Sequence, residues 1–231
     1  MVAGSEHGGK RRKGNQINFI SAHYEKKNKD SQLCVHLFNL LSSIIFRPMI
    51  EHRSFADLQN GLADIKDSPG SEGLLYMIVV RNQKRERSVP WFCKLTPEGG
   101  VEGDHWIKGA WKTLDDGSPD PAVQVTLMNS RCLQLIATTK DRWPLAGDNL
   151  IVDFDLSTNN LKPGQQISVG PVILEISDIP HTGCMKFRDR FGVEALRFVS
   201  TKEARDLRLR GAFARVIQPG EIRVGDKIKK L

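Results

Sequence analysis

Short apolar runs separated by turn residues occupy the chain from residue 74 onward, and they constrain its fold more than any other feature. Residues 74–80 form a continuous apolar run rich in β-branched side chains, as a buried strand requires. The pattern returns at residues 124–128, 150–154, 166–169, 172–176 and 213–217. Between the runs stand Pro97-Glu98-Gly99-Gly100, Asp116-Gly117-Ser118-Pro119, Pro163-Gly164, Gly170-Pro171, Pro219-Gly220 and Gly225-Asp226, residues whose backbone preferences reverse the chain. Helical signals are few. Ser54 followed by Asp57 reads as an N-cap with an acid in the first turn, and Phe55, Leu58, Leu62 and Ile65 make an apolar stripe that ends near Ser68-Pro69-Gly70. Residues 129–139, capped by Asn129, and residues 200–207, with Glu203 after a Ser/Thr start, are the other two. Many short strands and few helices predict a mainly β (α+β) fold: a closed or nearly closed β-barrel decorated by short peripheral helices.

A chain of 231 residues holds one substantial core or one domain with an appendage. Its charge divides accordingly. Residues 1–56 carry nine Lys/Arg against four Asp/Glu, whereas residues 57–231 carry 25 against 23. The near-balance of the second part argues against a domain built to neutralise a phosphate backbone, so no nucleic-acid partner is expected. The basic, polar runs Gly8-Gly9-Lys10-Arg11-Arg12-Lys13-Gly14 and Lys26-Lys27-Asn28-Lys29 suit a solvated N-terminal arm. The apolar stretch at residues 33–46 falls short of the roughly 20 residues that span a bilayer, and Arg47-Pro48-Met49-Ile50-Glu51 offers no signal cleavage site. Two readings of residues 1–56 stand open: an extension whose apolar stretch packs as a helix, or a non-native extension with Met49 as the start. The folded domain is expected over residues 57–231.

Four cysteines, Cys34, Cys93, Cys132 and Cys184, lie far apart without a C-x-x-C pair. Neither a zinc site nor a dithiol redox motif is indicated, and free thiols in a reducing, cytoplasmic compartment are the expectation. Cys34, Cys93 and Cys132 sit in or beside apolar runs and are expected to pack. Cys184 is different: His181-Thr182-Gly183-Cys184-Met185-Lys186-Phe187-Arg188-Asp189-Arg190-Phe191-Gly192 surrounds it with cationic side chains, the setting that stabilises a thiolate as nucleophile or metal ligand.

The run Pro180-His181-Thr182-Gly183-Cys184-Met185-Lys186-Phe187, followed by Arg190-Phe191-Gly192, resembles the cysteine segment of MOSC domains, the C-terminal domain of molybdenum-cofactor sulfurases. Gly103-Asp104-His105-Trp106, Thr126-Leu127-Met128-Asn129, Ala146-Gly147-Asp148-Asn149-Leu150, the loop 156–164, the segment 209–216 and Pro219-Gly220-Glu221-Ile222-Arg223-Val224-Gly225-Asp226 resemble successive segments of the same family. The resemblance implies a barrel like the pyruvate-kinase β-barrel and a role around the molybdenum cofactor or activated sulfur. It implies that Cys184 either ligates molybdenum or carries sulfur as a persulfide. Pyridoxal phosphate, which serves the desulfurase domain of fused relatives, is not expected in this chain; the likeness is to small stand-alone members.

Three functions follow. In the first, the chain binds the molybdenum cofactor (molybdopterin) through Cys184 and acts as a small reductase with electron donors. In the second, it is a sulfur carrier that receives a persulfide from a separate pyridoxal-phosphate-dependent desulfurase. In the third, it is a non-catalytic barrel module that holds an anion. His181 is the candidate to orient the thiol or accept its proton, or else a loop histidine bonded to backbone. Gly183 leaves space beside the sulfur, or forms a turn. Lys186, Arg188 and Arg190 are candidates to meet a pterin phosphate or a small anionic substrate. Asp104, His105 and Asn149 are candidates to line the same pocket, and Arg210 to reach the ligand or to pair with a carboxylate such as Asp206. The tryptophans at 91, 106, 111 and 143 are candidates to floor a flat pterin or to fill the core.

Overall fold

Ser54 opens the first helix as its sequence predicts: its hydroxyl accepts the Asp57 N–H and donates to the Asp57 carboxylate at 2.6 Å. This is a computed structural model, and it describes residues 52–83 and 85–231; the N-terminal expectations for residues 1–51, including the helix at 33–46, Cys34 and the alternative start at Met49, lie outside the described residues. Helices α1 (Phe55–Asn60) and α2 (Leu62–Lys66) bury Leu58 and Ile65. In chain order there follow β1 (Glu72–Ile78), β2 (Phe92–Thr96), β3 (Gly100–Val101), α3 (Trp106–Gly109), β4 (Val125–Asn129), α4 (Ser130–Ala137), β5 (Leu150–Asp153), β6 (Gln166–Val169) and β7 (Val172–Ile176). The chain then runs through α5 (Met185–Phe191), α6 (Val193–Ser200), α7 (Lys202–Asp206), β8 (Ala212–Gln218), β9 (Gly220–Arg223) and β10 (Lys227–Lys230).

Seven strands close a barrel in the order β1-β10-β6-β7-β8-β4-β5, with β5 returning to β1. All neighbours are antiparallel except β4 and β5, which run parallel because α4 and a 3₁₀ stretch (Lys140–Ala146) carry the chain back between them. A second, three-stranded sheet, β3-β2-β9, stands beside the barrel. Gly73 is required where β1 meets β5: a Cβ there would stand 2.0 Å from the Asp153 carbonyl oxygen.

Two apolar clusters hold the fold. The barrel interior contains Leu75, Ile78, Val125, Leu127, Leu150 and their neighbours. The second cluster lies outside one wall, where Met77, Val79, Met128 and Ile151 face α1, α2 and α4–α7. This explains why β4 is buried at every position whereas β7 alternates: β4 has side chains inside the barrel and helices outside. Each fully buried Leu, Ile, Val or Phe contributes about 1.5–3 kcal/mol relative to exposure.

The structure departs from the sequence reading in one region that matters for function. The cysteine segment carries none of the helices predicted from the sequence, yet residues 185–191 form α5 and residues 193–200 form α6. Phe187 and Phe191 are spaced i, i+4, both buried, with ring centroids 4.9 Å apart, and that pair fixes α5 on the barrel wall. Gly192, at φ +92°, then breaks the helix before α6 begins.

Candidate functional site

The segment after β7 leaves the barrel at Ser177, whose N–H donates to the Phe213 carbonyl at 2.9 Å, and runs to Cys184. Between this segment, α6–α7 and residues 208–213 lies a cleft of about 370 Å³, a size that suits a small ligand. His181, Gly183, Arg208, Arg210 and Phe213 are on its wall. Cys184 is the N-cap residue of α5 and is exposed, and its side chain is not spent on capping the helix.

At the base of the cleft Arg210 and Asp148 form a buried ion pair, in which Arg210 Nη1 donates to Asp148 Oδ1 at 3.0 Å and to Oδ2 at 2.7 Å. Arg210 Nη2 donates to the Ala146 carbonyl at 3.2 Å, while its Nε is buried without a partner. The guanidinium also lies over the Phe187 ring, 4.9 Å from its centroid, so this one side chain ties the cysteine helix to the barrel. Burial pushes the Asp148 carboxyl up, against the opposing pull of Arg210 and Arg81. The His181 ring stands against Phe213, centroids 4.3 Å apart, with Nδ1 at 3.5 Å from Asp148 Oδ1 and no hydrogen-bond partner. Burial, then the charges of Arg210 and Arg81, hold the His181 imidazole well below its usual range. It is therefore neutral near pH 7 and keeps one nitrogen as an acceptor.

Gly211 shapes this base. At φ +107° its backbone passes so close to β4 that a Cβ would stand 2.2 Å from the Leu127 carbonyl oxygen and 3.2 Å from His181 Nδ1. Gly183 has a different use from either one predicted. Its missing side chain is occupied by α6, since a Cβ would stand 2.4 Å from Leu196 Cδ1 and 3.3 Å from Val199 Cγ2. It packs the cysteine segment onto α6, and its φ lies outside the left-handed region.

The other predicted residues divide. Asp104 and Asn149 do not line the cleft: Asp104 is buried and clasps Arg81, accepting from Nε at 2.8 Å and from Nη2 at 2.9 Å, and also accepts from Asn149 Nδ2 at 2.9 Å. Asn149 in turn accepts from Thr126 and donates to the Val79 carbonyl, so both residues stitch β1 to β4 and β5. His105 Nδ1 lies 2.9 Å from the Arg81 carbonyl oxygen, away from the cleft wall. Lys186 is exposed, and Arg188 pairs with its neighbour Asp189 at 2.8 Å. Arg190 turns the other way and donates to the Leu145 carbonyl at 2.6 Å. Arg210 pairs with Asp148, not with Asp206.

Of the tryptophans, Trp106 and Trp143 are core residues. Trp111 is 69% exposed, and its ring centroid lies 6.1 Å from that of Phe213, so it stands near the cleft wall. Cys93 and Cys132 are buried as expected, and desolvation pushes their thiols up to about 11 and about 12. Asp148, after a glycine, was a candidate either to line the pocket or to form a turn, and its pairing with Arg210 was not foreseen; Arg81 escaped sequence reasoning, since it stands just past the apolar run of β1, the only signal it gave.

No helix among the described residues is long and apolar enough to cross a membrane. No group of three His, Cys, Asp or Glu side chains among the described residues is arranged to hold a metal ion by itself.

Comparison with one solved structure agrees with the fold. The crystal structure of the YUAD protein from Bacillus subtilis is similar at TM-score 0.52 and 15% identity, over 68% of this chain and 94% of that one. The structure of YiiM from Escherichia coli is similar at TM-score 0.44 and 16% identity, over 68% of this chain and 69% of that one. No curated protein sequence matches the chain. The family model described as the MOSC domain matches residues 136–229, the span that contains His181, Cys184 and Arg210. Over that span, which includes strands β5 to β9 of the fold and the cysteine helix α5, the chain is similar to the MOSC domain.

Proposed function

We propose that the protein binds a molybdenum–pterin cofactor with Cys184 as its single protein ligand to the metal. The observation that carries this reading is the Cys184 thiol: it is the one exposed thiol among the described residues and stands at the end of the segment that walls the cleft. The donor set fits a metal that arrives with its own ligands and needs one more. A soft thiolate suits molybdenum, and no second His, Cys, Asp or Glu need approach. When bound, the cofactor supplies the redox chemistry of its metal.

The chain's own residues account for the rest. Arg210, fixed by Asp148 and stacked on Phe187, holds the cysteine helix and presents positive charge to the cleft. Neutral His181 stands beside it as an uncharged hydrogen-bonding group on the cleft wall. Trp111 and Phe213 offer flat apolar surface to a ring.

Metal and pterin analysis of the protein purified from a cofactor-competent host tests the reading. Molybdenum near one equivalent is expected in the wild type and is lost in Cys184→Ser. Absence of molybdenum and pterin from both proteins overturns it.

A second reading is favoured by the exposure of Met185 beside the thiol, apolar surface that a donor protein would cover. In it the Cys184 thiolate attacks the terminal sulfur of a desulfurase persulfide, the new S–S bond forms, and the donor cysteine leaves as thiolate. Intact mass after incubation with such a desulfurase then shows one added sulfur, absent in Cys184→Ser.

A further inference from the structure

The cleft beside the cysteine segment opens where two paired strands part. β7 and β8 are antiparallel neighbours as far as Ile176, which lies opposite Ala214. The bond from Ser177 N–H to the Phe213 carbonyl is the last rung between them among the described residues. Beyond it residues 178–183 line one side of the cleft, and Arg208, Arg210, Gly211 and Ala212, leading into β8, line the other.

A strand that leaves its neighbour keeps its donors and acceptors. Among the described residues, the N–H groups of His181, Thr182, Gly183 and Cys184 and the carbonyls of residues 178–183 have no backbone partner. The chain from Pro180 to Cys184 runs without a turn or bend, and Cys184 itself is extended at φ −124° and ψ 171°. Successive unpaired amides in an unbent stretch form the edge of a sheet that lacks its next strand. The other open edges among the described residues, β3 and β9 of the small sheet, do not line this cleft.

Such an edge is matched by a ligand with donors and acceptors repeated at strand spacing, about 3.3 Å per residue, which an extended peptide supplies. The walls set its side chains. Ile179, Val199, Ala204, Ala212 and Phe213 make part of the cleft apolar. Of the charged residues there, Arg210 is paired with Asp148, and Arg208 donates to the Leu156 and Leu161 carbonyls at 3.2 and 2.8 Å. Asp178, Asp206 and Arg205 are exposed and form no ion pair among the described residues. Two free carboxylates against one guanidinium make the rim complementary to a basic side chain.

We infer that residues 178–183 take an extended segment of a partner protein as an added strand, with an apolar side chain in the cleft and a basic one at the rim beside Asp178 and Asp206. Main-chain hydrogen bonds supply the affinity, and the cleft and its rim select the side chains. Because this edge ends at Cys184, the added segment is led to that thiol. That it brings a persulfide there rests on the second reading proposed above; the added strand rests on the parted strands.

NMR titration of the isotope-labelled full chain with the peptide acetyl-Val-Lys-Val-Thr-Val-amide, and with its fully N-methylated form, tests the site. The first peptide is expected to shift the amide resonances of residues 181–184 and to slow their exchange with solvent about tenfold or more. The N-methylated form, which cannot donate, is expected to bind about tenfold or more weakly. Cys184→Ser is expected to bind the first peptide as wild type does, and Asp178→Asn up to about fivefold more weakly, the loss of an exposed ion pair. No shift at millimolar peptide, equal binding of the N-methylated form, or shifts confined to β3 and β9 overturns the inference. Equal affinity in Asp178→Asn overturns the choice of a basic side chain. Peptide binding by a wild type that accepts no sulfur from a desulfurase would sink the sulfur reading and leave the added strand standing.

Discussion

Arg210 Nη1 donates to both carboxylate oxygens of Asp148, and neither side chain has appreciable access to solvent. Removing one partner of such a pair leaves the other charged and unpaired in the interior. Arg210→Met is therefore expected to cost about 3–5 kcal/mol, a fall of about 10 °C in melting temperature for a domain of this size, measurable by thermal denaturation. The double variant Arg210→Met/Asp148→Asn, which removes both charges, is expected to recover part of the loss. If the single variant melts with wild type, the pair is not the buried anchor described above.

Gly211 permits what no other residue does at that position. Its φ of +107° is disfavoured for a side-chain-bearing residue, and a Cβ would meet the Leu127 carbonyl oxygen at 2.2 Å. Gly211→Ala is expected to destabilise by more than about 2 kcal/mol in denaturant unfolding, and to displace His181, which a change in its imidazole NMR resonances would reveal. A variant of wild-type stability would mean that β8 enters the barrel by another path.

Legibility in the sequence followed the strength of local periodicity. The apolar runs marked β1 and β4–β8 because each has a buried face, and the caps Ser54 and Asn129 marked their helices through side-chain bonds to the first turn. β10 escaped because Lys227-Ile228-Lys229-Lys230 has one apolar residue; it closes the barrel through backbone pairing, with Lys227 and Lys229 around Glu72. α5 escaped because its basic residues interrupt the apolar stripe, although Phe187 and Phe191 already had helical spacing. At the site, Cys184 and His181 stood out by sequence proximity. The pairings of Asp148 and Arg81 were not legible, because their partners, Arg210 and Asp104, are distant in the chain and meet only when the barrel closes.

Thiol accessibility should separate the described cysteines cleanly. Cys93 and Cys132 are buried, with their thiols pushed up to about 11 and about 12, and Cys132 donates to the Leu209 carbonyl at 3.2 Å. In native protein at pH 7.5, iodoacetamide is expected to modify Cys184 and to spare both, which become reactive only in denaturant. Peptide mass spectrometry reads this directly. Modification of Cys132 at the rate of Cys184 in native protein would contradict the packing of α4 against residue 209.

His181 gives the fold a pH dependence whose sign follows from its burial. Its folded-state pKa lies well below the usual value of 6.5, so between the two values the unfolded chain binds a proton that the native state does not. Stability from this group is complete above pH 6.5 and is lost as pH falls below it, with a limiting slope of about 1.4 kcal/mol per pH unit. The groups that face it are Asp148, Arg210 and Arg81; Asp148, whose pKa burial raises, takes up its proton in the folded state and offsets part of the loss at lower pH. Denaturant unfolding of wild type and His181→Phe at pH 7.5, 6.5 and 5.5 isolates the histidine, because Asp148 and Arg210 are common to both. Wild type is expected to lose more stability than His181→Phe between pH 6.5 and 5.5. Parallel losses in the two proteins would mean that His181 is protonated as readily when folded as when unfolded, which its place between Phe213 and the Arg210–Asp148 pair does not allow.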